Sequence, residues 1–205
     1  MKFYHAPKAV NPERVALFLK AKGQEGAVEI EEVSIMKGEH KMPEYRTISP
    51  FAQVPALALD DGTAITESRA ICEYIEGLFP DPNLLGANPK ERSQVTMWDR
   101  RVEMMWMMPF AFWFRNAHEM MAPLENPQVP EQAEKSEKAV KAFVKRLADH
   151  LEREDFIAAG RFSIADITGF AVCGFCGVMQ WKPHEEHASI GAWRDRVKGE
   201  IFANA

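Results

Sequence analysis

The sequence predicts an α/β domain followed by an all-α domain, and three observations carry that prediction. Strand-like and helix-like segments run in the order βαβ and then ββα through residues 1–80. Asp60-Asp61-Gly62, a strong hairpin turn, separates two short apolar runs. After Asn88 the pattern is helical, with no convincing strand. The breaker-rich stretch Phe79-Pro80-Asp81-Pro82-Asn83 marks the boundary, giving a first domain over 1–80 and a helical domain over 88–205.

Phe3, Tyr4 and His5 form the first strand, and Pro7 to Pro12 turns the chain into a helix with Pro12 in its first turn, where the missing N–H costs little. Val15, Phe18, Leu19 and Lys22 follow at helical spacing until Gly23 stops the helix. Val28 to Ile35 alternates with acids and predicts an edge strand. A polar loop, Lys37-Gly38-Glu39-His40-Lys41, leads toward Val54-Pro55. Ala56 to Leu59 and Thr63 to Thr66 then pair antiparallel, and Ile71, Tyr74, Ile75 and Leu78 define a helix from about Glu67 to Phe79. In the second half, Pro89 to about Met121 predicts one long helix kinked at Pro109. Glu131 to Glu154 carries Val140, Phe143, Leu147 and Leu151 on one face. A further helix starts after Ser163, whose Ser163-Ile164-Ala165-Asp166 has the form of an N-cap with an acid three residues on.

Composition narrows the function. The chain has 205 residues, 46% hydrophobic and 27% charged, in the range of folded globular proteins. A net charge of -5, with lysines and arginines dispersed among acids, argues against a nucleic-acid partner. Met1-Lys2-Phe3-Tyr4-His5-Ala6-Pro7 lacks the apolar core of a signal peptide and no apolar run reaches bilayer length, so a cytoplasmic chain with no membrane partner is expected. Three cysteines, an odd number, fit a reducing compartment.

This order of elements, with Val54-Pro55 before the third strand and Glu67-Ser68 opening the last helix of the first domain, resembles the cytosolic glutathione transferases. The anchors are Asn11-Pro12-Glu13-Arg14-Val15, Ser49-Pro50-Phe51-Ala52-Gln53-Val54-Pro55, Asp61-Gly62, Glu67-Ser68-Arg69-Ala70-Ile71 and Phe162-Ser163-Ile164-Ala165-Asp166. Gly38-Glu39-His40-Lys41 and Asn126-Pro127-Gln128-Val129-Pro130-Glu131 are similar to a bacterial and fungal branch that lacks the usual catalytic Ser, Cys or Tyr. The resemblance implies a thioredoxin-like N-terminal domain, an all-α C-terminal domain and a homodimer. It also implies glutathione as co-substrate, no metal, and conjugation of small apolar electrophiles or reduction of peroxides.

On that resemblance, Ser68 and the helix N-terminus behind it receive the γ-glutamyl carboxylate and Glu67 pairs with the adjacent ammonium. The plainer alternative is that Ser68 only caps its helix. The proline after Val54 is cis in the family, turning the Val54 backbone toward the cysteinyl part of glutathione like an added strand. Otherwise Pro55 only shapes the start of a strand. Ala52 stands where family members often carry glycine. The glycyl carboxylate needs a cation, for which the loop offers Lys41 and His40.

Catalysis requires a donor that stabilises the glutathione thiolate. The family's serine or cysteine position falls at Ala9-Val10-Asn11, where neither is present. Asn11 beside the first helix N-terminus, and Tyr4 on the first strand, are the candidates. In the resembled branch a water held by the helical domain assists, for which Asn116 and His118 are the places to look. Three readings stand open: a transferase, a glutathione-binding module without turnover, and a thiol oxidoreductase using Cys173-Gly174-Phe175-Cys176. That last pair lies inside a predicted helix, without the strand-to-helix turn that activates a redox pair, so core packing is expected, as for Cys72. His184-Glu185-Glu186-His187 spaces its histidines three apart rather than four and is expected in a loop, with no metal. The Met and aromatic run from Trp98 to Phe114 is read as core, dimer surface or the wall of an apolar pocket.

Overall fold

A computed structural model describes residues 1–203. The chain divides into two compact units, Met1–Leu84 together with the segment from Gly199, and Leu85–Lys198.

In the first unit, β1 (Lys2–His5) leads into α1 (Val10–Ala21), and β2 (Glu29–Glu32) returns parallel to β1, from Lys2 opposite Glu29 to His5 opposite Glu32. A single turn of helix, α2 (Pro43–Arg46), precedes the hairpin of β3 (Ala56–Ala58) and β4 (Ala64–Thr66), which closes through Gly62 at φ 88°. Then comes α3 (Ser68–Leu78). The sheet order is β2-β1-β3-β4, with β1 and β3 antiparallel. This is the thioredoxin-like arrangement, with β2 at the edge as its acids predict; all four of its residues are exposed. Alternation along β1 and β3 divides their side chains between two faces. Phe3 and Leu57, opposite one another and fully buried, point one way. Tyr4 and Ala56 point the other, into a cluster with Val33 and Tyr45.

α1 ends where Gly23 takes φ 63°: Gly23 N–H donates to Lys20 O and Gln24 N–H to Leu19 O, the paired closure that only a left-handed residue permits. Lys22, placed by its spacing among apolar neighbours, is buried as an ion pair. Its Nζ lies 2.6 Å from Glu76 Oε2 and donates to the carbonyls of Phe79 and Pro82, while Glu76 Oε1 accepts from Leu84 N–H. One lysine thus ties α1 to α3 and to the segment leaving it.

The second unit is helical, with no strand among the described residues. α4 (Pro89–Val102) starts on Asn88, whose Oδ1 accepts from Glu91 N–H. The single kinked helix expected to about Met121 is instead α4, a π-helical turn (Glu103–Met107) and α5 (Met108–Ala117). Pro109 explains the break: without an N–H it cannot bond the carbonyl one turn back, and the ladder widens ahead of it. α6 (Pro130–Leu151) and α7 (Ile164–Phe175) follow as expected. His184 to Glu186, expected in a loop, lies in a one-turn helix, α8 (Pro183–Glu186), and a final α9 (Ala188–Phe202) was not anticipated. Among the described residues no helix is long and apolar enough to cross a membrane.

Asp166, fully buried, holds the start of α7. Its carboxylate accepts from Ser163 N–H and Oγ, from Ile157 N–H at 2.8 Å and from Trp193 Nε1 at 2.8 Å. Replacing Asp166 with alanine strands these buried donors at roughly 1–3 kcal/mol each. Urea unfolding of Asp166→Ala should show a loss of about 3 kcal/mol or more. A loss below about 1 kcal/mol would mean that α7 starts without this carboxylate.

Candidate functional site

The strand register gathers three segments at one end of the sheet. Ala56 pairs with both Tyr4 and Thr66, so Val54-Pro55 just before β3, Glu67-Ser68 just after β4, and the turn leaving β1 at His5 share the same end. That turn carries Lys8 at φ 67° and delivers the chain to α1 at Ala9, with no side chain capping the helix. The amides of Val10 and Asn11 bond no group among the described residues, and Pro12 has none to offer.

Asn11 and Ser68, read separately from the sequence, are bonded to one another. Ser68 Oγ donates to Asn11 Oδ1 at 3.0 Å and accepts from Arg14 Nη1 at 3.2 Å. Ser68 therefore does not cap its own helix; its hydroxyl bridges the start of α3 to the start of α1. Ser68 and Arg14 are 4% and 1% exposed, so this junction is dry. Two positive helix ends and a buried guanidinium converge there, an arrangement that favours an anion. Arg14 stands in the Asn11-Pro12-Glu13-Arg14-Val15 motif, where the sequence alone assigns it no role. Its signal was a charge three residues after Asn11, on the face that continues through Val15 and Phe18 into the core.

Glu67, the residue before α3, has φ 68° and ψ 115° with an exposed side chain, a conformation costly for a non-glycine residue. Val54-Pro55 is a cis peptide, and Ala52, in the place of glycine, takes φ 54°. Val54 bonds no group through its N–H or C=O among the described residues, although its side chain packs against the Tyr4 cluster. In the loop after β2, Gly38 turns at φ 73° and Glu39 Oε2 accepts from Ser34 N–H at 2.6 Å. His40 and Lys41 follow in a short 3-10 turn. Burial, and then the neighbouring Lys41 charge, lower the His40 pKa from its ordinary value, while Lys41 itself is exposed.

The remaining candidates have structural partners. Tyr4 is 9% exposed and meets Tyr45 edge-on at 5.6 Å; burial raises its phenol pKa, with Glu31 adding to the rise. In the second unit, Asn116 Nδ2 donates to Phe112 O and its Oδ1 accepts from Val129 N–H. His118 Nδ1 accepts from Met120 N–H and its carbonyl from Gln128. Both therefore brace the segment between α5 and α6.

The fold defines a class: a thioredoxin-like unit followed by an all-helical unit. Residues 3–83 match the glutathione S-transferase N-terminal domain and residues 102–200 the glutathione S-transferase C-terminal domain. Glutathione S-transferase 2 of Saccharomyces cerevisiae is 31% identical over 199 residues, covering 97% of this chain and 85% of the relative. A glutathione S-transferase domain-containing protein of Marinobacter aquaeolei superposes with TM-score 0.91 at 35% identity, covering 98% of this chain and all of that one. Gtt2 of Saccharomyces cerevisiae superposes with TM-score 0.91 at 29% identity over the full length of both. The chain belongs to the glutathione S-transferase family of enzymes.

The cysteines are core residues: Cys72 and Cys176 are fully buried and Cys173 is 1% exposed. Cys173 lies at the end of α7, its Sγ 3.8 Å from His184 Nδ1, and Cys176 opens the turn that follows. Burial pushes the Cys173 thiol up to about 11 and Cys176 well above its usual value, so neither is a thiolate near neutrality. No group of His, Cys, Asp and Glu among the described residues is arranged to hold a metal. Native protein treated with a chromogenic disulfide at pH 8 should leave all three thiols unreacted, and release all three once unfolded in guanidinium. Fast reaction of Cys173 in the folded protein would contradict this burial.

Proposed function

We propose that the chain binds glutathione at the end of the sheet where α1 and α3 begin, and transfers it to small apolar electrophiles or uses it to reduce peroxides. The observation that carries this reading is the Asn11–Ser68–Arg14 junction. The γ-glutamyl carboxylate is assigned to the α3 amides and to Ser68, whose one hydroxyl proton, on Asn11 Oδ1 in the free chain, turns to the carboxylate on binding, and the ammonium to Glu67, whose backbone conformation turns the chain into the helix. The cysteinyl backbone pairs with the unbonded Val54 peptide next to Pro55, and Lys41, with His40 beside it, receives the glycyl carboxylate. The sulfur then lies toward the α1 N-terminus. Of the candidate donors we assign the thiolate to Asn11 and the Val10 and Asn11 amides. The Tyr4 ring packs into the cluster with Tyr45, and Asn116 and His118 are hydrogen-bonded within the second unit. The thiolate attacks the electrophilic carbon, the sulfur–carbon bond forms, and the leaving group departs with its electron pair.

The missing Ser or Cys at Ala9-Val10-Asn11, together with the Gly38-to-Lys41 and Asn126-to-Glu131 strings, is why we place the chain in the branch without the usual catalytic residue. It is also what would favour a binding module without turnover. Calorimetry with glutathione, alongside turnover of an aromatic halide and a hydroperoxide, separates the two. Ser68→Ala should weaken binding about tenfold or more, the worth of a hydrogen bond to a charged group. Unchanged binding would remove the site, and binding without turnover would leave the module.

A cytoplasmic homodimer completes the proposal. Three cysteines, none in a disulfide, fit a reducing compartment. Phe51, 83% exposed in the loop before β3, is an apolar ring without cover, and the second unit exposes Met97, Met104, Met105, Met108 and Phe112. Light scattering should give twice the 23.3 kDa chain mass, shifting toward the monomer in Phe51→Asp. An unshifted dimer would place the interface elsewhere.

A further inference from the structure

The peptide just before Val54 is held more firmly than a surface loop needs. Gln53 O accepts two hydrogen bonds, from Tyr45 Oη at 2.8 Å and from Ser49 Oγ at 2.9 Å, and Gln53 N–H donates back to Ser49 Oγ at 3.2 Å. Both hydroxyls are buried, Tyr45 at 6% and Ser49 at 1% exposure, whereas the Gln53 side chain is exposed. What is fixed is therefore the backbone. The grip is itself braced: Ser49 N–H donates to Tyr45 O, Ala52 N–H donates to Ser49 O, and the Tyr4 ring meets Tyr45 edge-on. One residue later the pattern reverses, and Val54 offers an N–H and a C=O that nothing in the described chain uses.

We propose that Tyr45 and Ser49 are positioning residues for glutathione, locking the Gln53 carbonyl so that the Val54 peptide is presented in one orientation to the cysteinyl backbone of the ligand. This rests on the assignment of Val54 under the proposed function and adds to it the residues that set its geometry. Two donors on one carbonyl occupy both of its lone pairs and fix the rotation of that peptide plane, and with it the start of the next. An added strand gains affinity from main-chain hydrogen bonds only if the receiving edge is already in place, because ordering it on binding subtracts from the gain. Burial pushes the Tyr45 phenol up to about 12, so it remains a donor throughout the working pH range. Tyr4 then acts through Tyr45, as the ring against which it rests.

The test is a ligand-side comparison by calorimetry. Wild type and Tyr45→Phe are titrated with glutathione and with an analogue methylated on the cysteinyl nitrogen, which cannot donate to the Val54 carbonyl. Wild type should prefer glutathione, and Tyr45→Phe should weaken glutathione binding roughly three- to tenfold while losing much of that preference. Where turnover is measurable, KM for glutathione should rise and kcat at saturation stay within about twofold. Ser49→Thr, which keeps the hydroxyl, should retain the wild-type preference, and Ser49→Ala should lose it. If Tyr45→Phe keeps the affinity and the preference, or if its midpoint of unfolding drops by many degrees with both ligands weakened equally, Tyr45 is structural and the inference fails. If wild type binds neither ligand, it is the glutathione site itself that fails.

Discussion

Ser68 Oγ is the atom on which the site depends. It gives its proton to Asn11 and takes one from Arg14, so the starts of two helices and a buried guanidinium are fixed relative to each other by one hydroxyl. Burying a guanidinium beside two helix starts carries a desolvation cost. A neutral hydroxyl and an amide oxygen offset part of that cost by accepting hydrogen bonds.

The chain uses its other buried charges differently, and the contrast marks the site. Lys22 and Glu76 meet each other through Glu76 Oε2, while Lys22 Nζ and Glu76 Oε1 are turned onto the backbone leaving α3. Asp166 takes four donors from its own unit. These groups close local accounts of hydrogen bonds and leave nothing for a ligand. At the sheet end, by contrast, the Val10 and Asn11 amides and both polar groups of Val54 have no partner among the described residues, and Glu67 keeps a costly conformation. Unbonded backbone beside saturated side chains is the pattern of a surface that awaits another chain of peptide groups.

Much of the fold was legible because local rules and packing agree. The Asp60-Asp61-Gly62 turn, the stop at Gly23 and the Ser163-to-Asp166 cap each depend on chemistry confined to a few residues, and each formed where the sequence put it. The π turn escaped because the rule for Pro109 gives the position of a disturbance and not its form. α9 is a plainer case: Ile190, Trp193, Val197 and Ile201, all fully buried, stand at helical spacing and went unread. Lys22 matched a helical period while carrying the wrong polarity, and only its partners on α3 and beyond explain it. For the site, Asn11 and Ser68 were legible as residue types at the starts of helices. Their bond, and the place of Arg14 in it, span 57 and 54 residues of sequence and follow from tertiary structure alone. The grip on Gln53 is of the same kind: Tyr45, Ser49 and Gln53 stand four residues apart, but the helix ends at Arg46, and the bonds run to a backbone carbonyl that no side-chain pattern displays.

The donors assigned to the thiolate have a property that a tyrosine or cysteine lacks. Helix amides and the Asn11 carboxamide do not ionise between pH 4 and 10, and they are held by α1 and by Ser68 rather than by a flexible side chain. In the proposed site, their stabilisation of the sulfur would be a constant of the fold. A class that relies on an ionisable hydroxyl must keep that group's pKa matched to the task; in this proposal the matching would fall to the geometry of a helix end, with the ligand thiol as the titrating partner. That shifts the demand on the protein from acid–base tuning to rigidity. It is consistent with how the site is built, with Ser68 bridging two helices on one side and two buried hydroxyls clamping a single carbonyl on the other.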